Sequence, residues 1–140
     1  DRVTAIDKEP IAQEITETLP IEKFAYVQST FESFDFPVST FDLINAQYSL
    51  AFIAPAAFNE VFKKIVASLK TGGVFTGNFF GKKDGWALDK EKTFHSIEEV
   101  KELLAGLEII DFQEKEWDGE TASGEMKHWH TFNFIVRKSK

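Results

Sequence analysis

The feature that most constrains the fold of this chain is an alternation of strand-like and helix-like segments. Runs of β-branched and aromatic residues predict strands at residues 2–6, 24–28, 41–48 and 73–80. Apolar periodicity, prolines and capping signals between and after these runs predict helices at residues 10–18, at 55–69 and from 96 onward. Ser96 and Glu99 have the spacing of a capping box, which marks the start of the third helix.

Two further strand-like runs close the chain, at residues 108–117 and 129–138. The turn signal Asp118-Gly119 lies between them and predicts an antiparallel pair. Strands that alternate with helices are typical of a parallel sheet with helices on both faces. The sequence therefore predicts an α/β fold with a mostly parallel sheet, a C-terminal antiparallel hairpin and a Phe-rich core, in a single domain over residues 1–140.

Charge and composition exclude several classes of function. With 16 Lys and Arg against 23 Asp and Glu, the net charge of −7 disfavours nucleic acid as a partner. There is no Cys, which excludes disulfides, thiol catalysis and Cys-ligated zinc. No apolar run reaches the ~20 residues that a bilayer crossing needs, and no signal peptide opens the chain. We therefore expect a cytoplasmic protein without membrane contact.

In an open α/β sheet, ligands bind beyond the carboxyl ends of the parallel strands. Asp7 ends the first strand, where a carboxylate either accepts hydrogen bonds from a ribose diol or caps the next helix. The segment at residues 29–31 follows the second strand and either contacts a base or forms a turn. The polar segment at residues 45–49 ends the third strand and needs hydrogen-bond partners from a ligand or from nearby loops.

Two other segments are candidates for chemistry. The loop Gly81 to Trp86 is Gly-flanked, charged and aromatic, which favours either a mobile lid over a pocket or a plain surface loop. His128 and His130 share one face of a strand, where neutral imidazole can accept a proton or donate to a substrate, or can simply pack within the hairpin. No third ligand accompanies this pair, so we expect no metal site.

Several segments together resemble the class I S-adenosylmethionine-dependent methyltransferases. The matching segments correspond to the second, third, fourth and fifth strands of that family, and they are VTAID (3–7), FAYVQSTFESFDFP (24–37), TFDLINAQYSLAFI (40–53) and LKTGGVFTGNFFG (69–81). The tail EKEWDGETASGEMKHWH (114–130) resembles a bacterial subgroup that acts on small molecules. The resemblance implies a Rossmann-like three-layer sandwich.

The resemblance also implies S-adenosylmethionine as cofactor, a small-molecule substrate and a role for each candidate residue. The implied cofactor-binding residues are Asp7, Lys8, Thr30, Phe31, Asn45 and Ala46. The implied substrate contacts are Lys83, Trp86 and Trp129, and the implied catalytic residues are Tyr48, His128 and His130. The family often has Asp at the position of Thr30, so the contact to the adenine amino group is expected to come from backbone atoms.

The central first strand of the family and its Gly-rich turn have no counterpart in residues 1–140. We therefore expect this to be the C-terminal portion of the family fold, with weak or no cofactor binding on its own. Two other hypotheses stay open at this point. One is a non-catalytic module that self-associates, as a homodimer, through exposed strand edges, and the other is an α/β protein that binds a nicotinamide cofactor.

Overall fold

The computed structural model describes all 140 residues and contains seven strands and three α-helices. The chain divides into two compact units, Asp1–Asp35 and Phe36–Lys140, here called unit 1 and unit 2. The statement that residues 1–140 form one domain stays a prediction. No helix combines the length and the apolar composition that a bilayer crossing requires.

Unit 1 is a short β-α-β segment. Its elements are β1 (Val3–Asp7), α1 (Gln13–Thr18) and β2 (Phe24–Gln28). The two strands pair in parallel, with Val3 opposite Phe24 and Asp7 opposite Gln28. The prediction of a helix from residue 10 was wrong by three positions, since no side chain caps the helix at Ala12 and Pro10 lies outside it.

Unit 2 carries the larger sheet. Its elements are β3 (Phe41–Ala46), a 3₁₀ turn (Leu50–Phe52), α2 (Phe58–Ser68), β4 (Leu69–Gly81), β5 (Phe94–His95), α3 (Ile97–Leu104), β6 (Glu108–Glu120) and β7 (Met126–Arg137). The strand order is β3-β4-β7-β6, and β5 pairs with the end of β4. The β3–β4 and β4–β5 pairs are parallel, whereas β7 runs antiparallel to both β4 and β6. The α/β class and the C-terminal hairpin are confirmed.

Two strand boundaries differ from the predictions. β4 begins at Leu69 rather than at residue 73, because Leu69 already pairs with Phe41 across the sheet. The hairpin turn does not lie at Asp118-Gly119, since these residues pair with β7 and β6 extends to Glu120. The chain reverses after Thr121 instead, where Gly124 adopts the left-handed conformation with φ of 85°.

The core of unit 2 is built on phenylalanine, as predicted. On one face of the sheet, here called the covered face, the fully buried side chains are Phe75, Phe79, Phe132, Phe134 and Val136. Helix α2 packs on this face, with ring centroids 5.9 Å apart for Phe62 and Phe75 and 6.1 Å apart for Phe58 and Phe79. The predicted apolar stripe of α2 is therefore confirmed, and this packing fixes the helix against β4.

His95 also belongs to this core. Its ring lies 4.5 Å from that of Phe58 and 5.2 Å from that of Phe79, and its Nδ1 has no hydrogen-bond partner. Burial lowers the pKa of His95 to about 4, because a charged imidazole would lose its hydration there. The residue is a neutral part of the packing rather than a ligand.

Candidate functional site

In unit 1, Asp7 lies exposed at the carboxyl end of β1. Its Oδ1 accepts a hydrogen bond of 3.0 Å from the backbone N–H of Glu9, so the side chain shapes the turn after the strand. Asp7 does not cap α1, which begins six residues later. Burial, followed by the carboxylates of Asp7 and Glu9, raises the pKa of Tyr26, whose hydroxyl donates to the Glu9 carbonyl.

The neighbouring candidates of unit 1 are also at the carboxyl ends of its strands. The carbonyl of Lys8 accepts a hydrogen bond of 3.1 Å from Gln28 Nε2, which leaves the exposed ammonium group at the surface. The hydroxyl of Thr30 accepts from the backbone N–H of Ser33 at 3.2 Å, in the turn that follows β2. Phe31 is half-buried in the same turn.

In unit 2, the polar segment after β3 is held by a buried asparagine. Asn78 Oδ1 accepts from the backbone N–H of Tyr48 at 2.9 Å, and its Nδ2 donates to Gln47 Oε1 at 3.2 Å. Tyr48 has φ of 51°, which is unfavourable for a residue with a side chain and is maintained here by this hydrogen bond. Asn45 is exposed in β3, whereas Ala46 is buried.

Five aromatic side chains lie together beside this strand end and form what we call the aromatic platform: Tyr48, Phe52, Phe80, Trp86 and Trp129. Phe80 is buried at the base, and the half-exposed rings of Tyr48 and Phe52 each stand 6.4 Å from it at steep angles of 64° and 68°. Tyr48 is 5.7 Å from Trp129, and Trp86 is 5.8 Å from Trp129. The structure thus brings together three of the predicted residues.

A buried ion pair lies beneath the platform. The Nζ atom of Lys127 is 2.7 Å from both carboxylate oxygens of Asp84, and the two side chains are only 3% and 0% exposed. The same ammonium group lies 3.5 Å from the ring centroid of Trp129 and 4.2 Å from that of Trp86. Burial lowers the pKa of Lys127, and the hydrogen bond to Asp84 opposes that effect.

The loop Gly81 to Trp86 is hydrogen-bonded to β7. Asp84 also accepts hydrogen bonds from the backbone N–H groups of Trp86 at 3.0 Å and of His130 at 3.2 Å. The backbone N–H of Gly85 donates to the His128 carbonyl at 2.8 Å. These contacts connect the loop to β7 and place Trp86 against Phe80 and Trp129.

The two histidines of β7 lie on the covered face and are fully engaged by hydrogen bonds. His130 is buried, its Nδ1 accepts from the backbone N–H of Lys83 at 3.1 Å, and its Nε2 lies 2.8 Å from Glu114 Oε1. His128 lies between Asp118 at 2.7 Å and Glu116 at 2.8 Å, and these bonds raise its pKa.

The role of His128 or His130 as acceptor of a proton from a substrate stays a prediction, and it would require one of these hydrogen bonds to break. Both nitrogens of each ring already have partners, and alternation along β7 points the rings away from Trp129. Lys83 is also separate from the platform, since its ammonium group lies 3.5 Å from Glu116. The predicted catalytic and substrate residues thus divide, with Tyr48, Trp86 and Trp129 on one side and the others on the opposite face.

The sequence interpretation missed three residues of this site. Asn78 was signalled by its position as the one amide in the apolar strand GVFTGNFF, where a buried polar group needs a partner. Lys127 was signalled by its two-residue spacing from Trp129, which places both on one strand face. The partner of Lys127, Asp84, lies 43 positions earlier, and no local pattern connects the two.

Comparison with protein families matches residues 1–76 to the family described as "Methyltransferase domain". This stretch is more than half of the chain and contains β1, β2, β3, α2 and the first part of β4. The chain belongs to this methyltransferase family. The recognition made from the strand segments is therefore confirmed, and the nicotinamide alternative is set aside.

Solved structures of methyltransferases share the fold. TehB from Haemophilus influenzae matches with a TM-score of 0.76 at 13% identity, over 98% of this chain and 50% of its own. An S-adenosylmethionine-dependent methyltransferase from Methanosarcina mazei matches with a TM-score of 0.69 at 22% identity, over 98% and 82%. These matches confirm the Rossmann-like fold, and the chain spans half the length of TehB.

A third methyltransferase structure was solved with two bound small molecules. It is the 1,6-didemethyltoxoflavin-N1-methyltransferase of Burkholderia thailandensis with 1,6-didemethyltoxoflavin and S-adenosylhomocysteine, which matches with a TM-score of 0.70 at 24% identity. The match covers 99% of this chain and 62% of that protein. No curated protein sequence matches this chain. No group of three or more His, Asp or Glu side chains is arranged to hold a metal ion.

Proposed function

We propose that residues 1–140 form part of an S-adenosylmethionine-dependent methyltransferase that acts on a small-molecule acceptor. The observation that carries this proposal is the family match over residues 1–76. Support for the acceptor class comes from the Burkholderia thailandensis enzyme, which was solved with a small molecule and S-adenosylhomocysteine. The predicted homodimer and cytoplasmic location stay predictions, and light scattering of the purified protein tests the first.

We assign the ribose of the cofactor to Asp7. One oxygen of its carboxylate accepts from Glu9, and the other is available to accept from a sugar hydroxyl. Lys8 lies beside it with an exposed ammonium group, and we assign Thr30 and Phe31 to the adenine. The Thr30 hydroxyl accepts from Ser33, so the expected contact to adenine is a backbone one.

We assign the methionine part of the cofactor to Asn45 and Ala46, and the acceptor to the aromatic platform. The bound cofactor supplies a methyl group that is already activated on a positively charged sulfur. The residues of unit 2 then orient the two reactants and exclude water, and orientation makes a large contribution to lowering the activation free energy when two reactants must meet in line. No proton transfer is assigned to His128 or His130, because their ring nitrogens are already hydrogen-bonded.

Calorimetric titration of the longest native chain that contains residues 1–140 with S-adenosylhomocysteine tests the proposal. We expect binding, and we expect Asp7→Ala to weaken it by about 10- to 100-fold, as a lost hydrogen bond to a charged group predicts. Asp35→Ala is the matched control, because it removes another exposed carboxylate of unit 1. Absence of binding to the unaltered protein, or equal losses in the two variants, would contradict the proposal.

A further inference from the structure

The face of the unit 2 sheet that lies opposite the covered face carries a row of amide side chains. Asn78 follows Asn133 across the sheet, since the two residues are paired in β4 and β7, and Asn133 is in turn paired with Gln113 of β6. Directly opposed residues of neighbouring strands point to the same side, with Cβ atoms about 5 Å apart. Gln47, which comes just after β3, joins the row because its Oε1 accepts from Asn78 Nδ2 at 3.2 Å. Four amide groups therefore lie in one row across the sheet.

An open cavity of about 300 Å³ lies over this row, and we call it the amide cavity. Gln47, Gln113 and Asn133 contribute to its lining, together with the polar side chains of Thr76, Asp111 and Lys115. Tyr48 also lines it and is half-exposed, so the cavity adjoins the aromatic platform, to which Tyr48 belongs. This position is at the carboxyl end of β3, where ligands bind in open α/β sheets.

Two of the four amides are held by the protein, and two are available to a ligand. Gln47 accepts from Asn78 and donates to Thr76 Oγ1 at 3.1 Å, so both ends of its amide group are engaged. The side chains of Asn133 and Gln113 make no hydrogen bond within the chain, although Asn133 is half-buried in an interior strand. Polar groups that are removed from water normally have partners. Asn133 and Gln113 thus offer the cavity donors and acceptors that the protein itself does not use.

The chemistry of these amides defines the ligand that fits them. A side-chain amide has a carbonyl acceptor and an NH₂ donor side by side. Its complement is a lactam, in which a ring holds an N–H and a C=O next to each other, so that two parallel hydrogen bonds form. Asn and Gln contact the edge of adenine through the same paired geometry. Asp111 and Lys115 give the lining one negative and one positive charge, so its net charge is zero and favours a neutral ligand.

We propose that the amide cavity binds the lactam edge of a neutral heterocycle, with Asn133 and Gln113 as its hydrogen-bond partners. That this heterocycle is the methyl acceptor rests on the proposed methyltransferase function. Tyr48 lines the same cavity, and its backbone N–H is held by Asn78 at 2.9 Å, so its ring is positioned to pack against the bound heterocycle.

The test compares two neutral probes with the same ring, uracil and 1,3-dimethyluracil. Methylation removes both N–H donors and leaves both carbonyl groups, so the two probes differ in the lactam edge. The side-chain NH₂ signals of Asn133 and Gln113 in two-dimensional NMR spectra report binding to the longest native chain that contains residues 1–140. We expect uracil to shift these signals and to bind about fivefold or more tightly than 1,3-dimethyluracil, as one net hydrogen bond predicts. Equal binding of the two probes, or no shift with uracil, would overturn the inference.

Three variants separate the amide cavity from general effects. Asn133→Leu and Gln113→Leu each remove one amide group at similar volume, and we expect each to weaken uracil about fivefold and to reduce the preference for uracil over 1,3-dimethyluracil. Asn59→Leu is the matched control, because it removes an exposed amide of α2 that does not line the cavity. Gln113 is exposed in β6, so its variant carries the test if Asn133→Leu does not fold. Losses no larger than that of Asn59→Leu would also overturn the inference.

Binding of S-adenosylhomocysteine is measured separately on the same samples by calorimetry, and the uracil measurement needs no cofactor. Failure of uracil to bind a chain that does bind S-adenosylhomocysteine contradicts only the lactam site. Binding of uracil by a chain that does not bind S-adenosylhomocysteine supports the lactam site and contradicts the proposed function.

Discussion

The buried pair of Lys127 and Asp84 gives the sharpest prediction about stability. Asp84→Asn keeps the shape of the side chain but leaves the Lys127 ammonium group buried without a counter-ion. Breaking a buried pair in this way costs about 3–5 kcal/mol. For the residues of unit 2, at about 2 cal/mol/K each, that loss corresponds to a melting temperature lower by about 14–23 °C.

Urea and thermal unfolding, followed by circular dichroism, measure this loss. The double variant Asp84→Asn with Lys127→Met removes both charges at similar volume, so we expect it to recover most of the free energy of unfolding. Glu60→Gln is the control, because it breaks the exposed 3.0 Å pair with Lys64 and costs about 0.5 kcal/mol or less. A loss under about 1 kcal/mol for Asp84→Asn, or a double variant no more stable than the single one, would refute the reasoning.

Three further predictions concern the core and its histidines. Because the pKa of His95 falls from 6.5 to about 4 on folding, the free energy of unfolding declines by up to about 3 kcal/mol as pH falls from 6.5 to 4. We expect His95→Leu to flatten this pH dependence, as measured by urea unfolding at a series of pH values. A Cβ at Gly81 would lie 2.0 Å from His130 Nδ1, so we expect Gly81→Ala to displace the His130 ring. The NMR chemical shifts of His130 measure this displacement, and unchanged shifts would contradict the prediction. We expect Phe62→Ala to lower the free energy of unfolding, measured with urea, by about 3–5 kcal/mol, because the ring of Phe62 is buried. Phe52→Ala removes a half-exposed ring and should lower it far less, so equal losses would contradict the reasoning.

The elements with strong local patterns were predictable from the sequence. The strand Phe24–Gln28 has the predicted bounds, and the Ser96 hydroxyl accepts from the Glu99 N–H at 3.2 Å, which is one of the two bonds of a capping box. The apolar stripe of α2 followed from its spacing alone. In these segments, propensity and tertiary packing favour the same structure.

The partners across the sheet were not predictable, because they depend on register. The hairpin was expected to turn at Asp118-Gly119, whereas pairing continues there because Trp117 stacks on Trp129 across the strands. That longer register places Glu116 and Asp118 around His128, so that both ring nitrogens of His128 are hydrogen-bonded to carboxylates. The role of a titratable side chain therefore depended on contacts that no local pattern encodes.

The order of strands has a consequence for biosynthesis. β7, the latest strand in the sequence, is an interior strand of the sheet, with β4 on one side and β6 on the other. During translation, β6 therefore leaves the ribosome before β7, its pairing partner in the sheet, has been synthesised. Until then, the edge of β4 that pairs with β7 also has unpaired backbone groups. Nascent chains expose these unpaired edges to chaperones and to other chains until Met126–Arg137 has emerged, so unit 2 completes its sheet late in translation.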